Sequence, residues 1–149
     1  MDLVEVARVE ELMTSQPELR ERVFTVRELA YCYRHRRAGE HLAGRWAAKE
    51  AVLKSLGTGM GAGMEWTDIE VINDRRGRPT VRLYGEAEAA ARSLDVQHID
   101  ISLSHTAGLA VAHAVAVCTR LRRYTDSASG AYVTRSRSDE SEGDDRYGA

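Results

Sequence analysis

A chain of 149 residues, 43% apolar and 30% charged, has the makeup of one soluble globular domain and is too short for two ordinary ones. A net charge of −2 argues against general attraction to nucleic acid or to an anionic membrane surface. No apolar run approaches the ~20 residues that span a bilayer, and Met1 to Glu5 lacks the basic start of a secretory leader, so a cytoplasmic location is expected. Cys32 and Cys118 match no metal-ligand spacing and are expected as free thiols.

Met1 to Val6 alternates around Val4 and Val6 and reads as a short strand. Val6, Val9, Leu12 and Met13 then fit a helix, which Pro17 ends. Residues 18 to 24 form a second short helical segment. Thr25 and Glu28 have the spacing of a capping box and open a helix through Leu29 and Cys32. Tyr33 to Arg37 is basic, as in a solvated helix face or a face for an acidic protein partner; nucleic-acid binding there is the weaker alternative. Gly39 marks a turn. Leu42 to Leu56 is the organising helix, alanine-rich and closed by Gly57.

The charges of that helix fall in two pairs four residues apart, Glu50 with Lys54 and Arg45 with Lys49. One carboxylate among three cations suits a phosphorylated ligand with a metal; the alternative is an ion pair on a solvated face. Four glycines lie within Gly57 to Gly63, dense enough for backbone amides to approach phosphate oxygens, although no P-loop motif is present. Residues 66–72 and 80–84 read as the strands of a hairpin whose tip holds Gly77-Arg78-Pro79. Residues 85–94 form an alanine-rich helix. Ile99 to Ser104 alternates as a strand, His105 to Gly108 turns, and Leu109 to Val117 is an apolar strand suited to a central place in a sheet. From Arg120 the composition shifts to Arg, Ser, Asp, Glu and Gly, so residues 1–119 are expected as the domain and 120–149 as a disordered polar tail.

The order of these signals resembles the holo-acyl-carrier-protein synthases, the small bacterial type of 4′-phosphopantetheinyl transferase. The matching stretches are Asp2-Leu3-Val4-Glu5-Val6 with Arg8, Leu42 to Gly61, Asp68 to Val71 with Asn73-Asp74 and Gly77-Arg78-Pro79, and Ile101 to Thr106. Gly-Arg-Trp-Ala-Ala-Lys-Glu-Ala (44–51), with Lys54, is the most specific of them. The resemblance implies an α+β fold, a mostly antiparallel sheet with a central alanine-rich helix. It implies Mg²⁺-dependent transfer of 4′-phosphopantetheine from coenzyme A to a serine of apo acyl carrier protein in fatty-acid biosynthesis, releasing adenosine 3′,5′-bisphosphate. Asp2 and Glu50 then match metal ligands, with Glu50 and Lys54 catalytic. Arg45, Lys49, Arg78 and His105 match positions around the coenzyme A phosphates, and Arg8 a contact to the carrier protein. A homotrimer with interface active sites is implied as well. A catalytically weak coenzyme-A- or carrier-binding module is the alternative function. Two departures stand out: Met1 occupies the place of a family glycine, and Arg78 stands where lysine is common.

Overall fold

The computed structural model describes residues 1–61 and 63–119, so the expected tail lies outside the described residues. The chain runs β1 (Asp2–Glu5), α1 (Val6–Ser15), α2 (Leu19–Val23), α3 (Val26–Cys32), α4 (Ala38–Leu56), a 3₁₀ turn (Trp66–Asp68), β2 (Ile69–Asn73), β3 (Pro79–Leu83), α5 (Gly85–Ser93), β4 (Val96–Thr106) and β5 (Leu109–Cys118). This is the expected α+β architecture. Every strand pairing is antiparallel: β1-β5-β4 form one sheet with β5 central, and β2-β3 form a separate hairpin.

α4 is the centre of both cores. Its Ala47, Ala48, Ala51, Val52, Leu53 and Leu56 are buried with Ile69, Val71, Ile101, Ala112 and Ala114. Its Leu42 and Ala43 join Val6, Val9, Met13, Val23 and Phe24 in the second core. Alanines of β5 thus meet alanines of α4, and the helix lies close on the sheet because neither side carries bulk. Ala51→Leu keeps helix propensity but adds volume at a position with no exposure. It is expected to destabilise by about 1–3 kcal/mol, read as a fall of several degrees in thermal midpoint.

Several boundaries differ from expectation. α4 starts at Ala38, so Gly39 lies inside the helix instead of in a turn. Gly39 is buried, and a Cβ there would require the exposed Glu10 side chain of α1 to move aside. Trp66–Asp68 is a 3₁₀ turn, not strand, because Glu65 and Asp68 cap it reciprocally. β4 is longer than residues 99–104. It pairs with β5 from Val96 to Thr106, and Ala107-Gly108, both at positive φ (50° and 78°), make a two-residue turn. His105 is therefore a strand residue, opposite Ala110.

Candidate active site

β1 ends against α1 and runs beside the central strand, which sets Asp2 opposite Ala112. The Asp2 carboxylate accepts a hydrogen bond from Lys54 Nζ at 2.6 Å. Lys54 lies on the last turn of α4, and Glu50 and Trp46 lie one and two turns before it on the same stripe. Asp2, Arg8, Leu12, Trp46, Glu50 and Lys54 line one groove of about 510 Å³ between β1, α1 and α4.

The electrostatics of this groove are those of two carboxylates crowded together. Partial burial, and then the charge of Asp2, push the Glu50 carboxyl above its ordinary range, while Lys54 opposes both. The hydrogen bond to Asp2 holds the exposed Lys54 ammonium above its ordinary range. Lys54 therefore gives its short contact to Asp2, 52 residues away, and not to its helical neighbour Glu50.

The second helical pair faces the interior. Lys49 has no exposure; its Nζ sits 2.8 Å from Glu28 Oε2 and donates to the carbonyls of Trp66 (2.9 Å) and Ile69 (2.6 Å). Burial pulls this ammonium below its ordinary range, and Glu28 opposes the pull. The expectation that Lys49 faces a bound phosphate is corrected: the three donors of the ammonium are taken by buried acceptors. Arg45 is 3% exposed. Its Nη2 donates to Asn73 Oδ1 at 2.8 Å, its guanidinium lies 4.1 Å from the Tyr31 ring centroid, and its Nε is buried without a partner.

The remaining residues sit apart from the groove. His105 Nε2 is 3.1 Å from Glu40 Oε2, and its ring makes an edge contact with His41. His41 also packs on His35, with ring centroids 4.3 Å apart. Burial, then His35, Arg45 and His105, lower the tendency of His41 to protonate. Arg78, on the hairpin loop, pairs with Asp100 at 2.5 Å and lines a different groove, of about 470 Å³, with His98 and Asp100. Asp2, Arg8, Glu50 and Lys54 are thus brought together, Arg45 and His105 lie on either side of His41, and Arg78 and Lys49 stand elsewhere.

Two features escaped the sequence reading. The histidine cluster of His35, His41 and His105 spans 70 residues of chain and carries no spacing signal. Glu28 was legible as a cap, since it accepts from Thr25 N at 2.8 Å, but not as the partner of Lys49.

A model of the 4′-phosphopantetheinyl transferase superfamily matches residues 1–118. A holo-[acyl-carrier-protein] synthase of Geobacter sp. (strain M21) is 44% identical over 116 residues, 77% of this chain and 93% of that protein. Its counterpart in Moorella thermoacetica is 45% identical over 115 residues, 77% of this chain and 89% of that protein. The crystal structure of the Helicobacter pylori holo-[acyl-carrier-protein] synthase in complex with coenzyme A is similar with a TM-score of 0.67 at 28% identity, covering 78% of this chain and 96% of that one. With the α+β fold in agreement with these likenesses, the chain belongs to the 4′-phosphopantetheinyl transferase superfamily and, within it, to the holo-acyl-carrier-protein synthases.

Proposed function

We propose that residues 1–119 transfer the 4′-phosphopantetheine of coenzyme A to a serine hydroxyl of apo acyl carrier protein, with Mg²⁺, for fatty-acid biosynthesis in the cytoplasm. The observation that carries this is the groove in which Asp2, Glu50 and Lys54 converge from β1 and α4. The donor set fits Mg²⁺: Asp2 and Glu50 offer hard carboxylate oxygens to one groove, whose lining also includes Glu5. Mg²⁺ is commonly held by one or two carboxylates, with water and substrate phosphates completing the shell. When bound, the ion would offset charge on the pyrophosphate as its P–O bond breaks.

The chain's own groups then have distinct tasks. Asp2 and Glu50 would hold the ion. Lys54, freed from Asp2, would neutralise charge that develops on the transferring phosphoryl group. Arg8, exposed at the groove, would meet an acidic carrier and speed its encounter. His105 and Arg78 would offer exposed side chains to the coenzyme A phosphates from separate places on the surface, and Arg45, held by Tyr31 and Asn73, would support the His105 side.

A homotrimer is part of the proposal. The outer face of the three-stranded sheet exposes Leu3, Leu109, Val115 and Val117, the first of them 57% accessible. Four large apolar side chains on one sheet face support burial against another copy.

The acidity of Glu50 gives a test of the metal site. Its carboxyl is raised in the fold, so its stabilising contribution is present below the ordinary carboxylate pKa of about 4.3 and is lost as pH rises through the raised value. Mg²⁺ takes the ionised form. Excess Mg²⁺ is therefore expected to stabilise the fold more at about pH 7.5 than at about pH 5, by roughly 1–3 kcal/mol at the higher pH, read as a rise of several degrees in thermal midpoint. An equal shift at both would count against Glu50 as a ligand. The activity itself is tested by chromatography of the nucleotide product. Adenosine 3′,5′-bisphosphate should accumulate only when coenzyme A, apo carrier and Mg²⁺ are all present; no release would refute the transferase.

A further inference from the structure

Around Glu50 the buried face of α4 is rich in methyl groups: Ala43, Ala47, Ala48 and Ala51 have no exposure, while Leu42, Val52, Leu53 and Leu56 supply the larger buried side chains of the helix. The alanine stretch from Ala47 to Ala51 approaches closely and offers few knobs of its own, so polar contacts in that stretch bear on how the helix is set there. Yet Glu50 must point at β1. A slip of one residue along the helix would swing it by about 100°.

The directional contacts beside Glu50 belong to Lys49. The acceptors of its ammonium come from three places: Glu28 on α3, Trp66 in the 3₁₀ turn and Ile69 at the start of β2. Glu28 is fixed in turn. Its Oε2 accepts from Thr25 N and its Oε1 from Val71 N at 2.9 Å. A buried ion pair is weak evidence for stability, but a buried polar contact can select one register among several.

We propose that Glu28 and Lys49 are positioning residues: their buried pair sets the axial and rotational register of α4 and thereby holds Glu50 opposite Asp2. The proposal rests on the transferase reading for its catalytic consequence, while its structural part stands without it.

The test compares wild type with the double variant Glu28→Gln/Lys49→Met, which removes both charges and keeps similar volumes. Four quantities are measured on the full chain: the near-ultraviolet circular dichroism of Trp46, recorded with and without the double substitution in a Trp66→Phe background because the chain has two tryptophans, Mg²⁺ binding by calorimetry, kcat, and KM for coenzyme A. Trp46 reports register because it lies one turn before Glu50, packed against Phe24 and Trp66. The expected result is a folded protein with an altered Trp46 band, Mg²⁺ affinity and kcat each about tenfold lower, and KM nearly unchanged. A folded double variant with the wild-type Trp46 band, and with Mg²⁺ affinity and kcat within about twofold, overturns the proposal. If the double variant does not fold, Glu28→Asp takes its place. It keeps the charge and shortens the reach by one methylene, and a loss of about threefold in Mg²⁺ affinity is expected; no loss overturns the proposal. Transfer by wild type is measured alongside, so a failure of the transferase reading appears there and not in the Trp46 band.

Discussion

Glu50→Gln is expected to lower kcat/KM for coenzyme A by roughly a thousandfold, about 4 kcal/mol of transition-state stabilisation, without loss of the fold. The substitution keeps the shape and removes the charge. Among the described residues Glu50 takes part in no hydrogen bond, so its replacement strands no buried donor. Its carboxyl is raised by burial and by Asp2, which means that the fold disfavours the charged form. The glutamine variant is therefore expected to melt at the same temperature as wild type or slightly above it. A site held at a cost in stability has a functional reason for its charge. The check pairs steady-state kinetics with thermal unfolding. A variant that stays fully active would remove Glu50 from the chemistry, and one that loses activity because it unfolds would contradict the expected melt.

Val115→Lys is expected to break the assembly and, with it, activity. Val115 lies on the outer face of β5, 45% exposed, directly across from Asp100 on β4. A lysine there gains a cross-strand partner of opposite charge, so the single chain keeps its sheet. Buried between copies, the same ammonium and its partner carboxylate would both have to leave water, a desolvation cost that an apolar contact does not carry. If the proposed trimer forms, sedimentation should show the mass falling from three chains to one, with transfer falling by about tenfold or more where the proposed site lies between copies. An unchanged mass would place the contact surface elsewhere.

Much of the fold could be read from local chemistry. Thr25 and Glu28 form the reciprocal cap their spacing promised. Gly57 ends α4 at φ 69°. β5 takes the central place that its continuous apolar run suggested. The alternation of β4 was legible only where apolar residues marked it. Val96 to His98 and His105-Thr106 are strand because β5 pairs with them, a tertiary cause that no local pattern carries.

The site was legible in the same uneven way. Asp2, Glu50, Lys54 and Arg8, which the resemblance singled out separately, line one groove. Lys49 was misread because i,i+4 spacing says that two residues share a helix face, not which way the face points. With Arg45 it formed what looked like a pair turned to solvent or ligand; α3 and β2 cover it instead. Glu28 lies 21 residues earlier in the chain, and only the packing of α3 on α4 brings the two together. A buried lysine is rare enough that exposure is the default expectation.

The central claim, that this chain modifies a carrier protein, is tested most directly by intact-mass spectrometry of apo acyl carrier protein. The carrier is incubated with the chain, coenzyme A and Mg²⁺, and in parallel with the Glu50→Gln chain. The expected result is a gain of one phosphopantetheine on the carrier, absent with the variant. A carrier that stays at its apo mass with the wild-type chain would contradict the account.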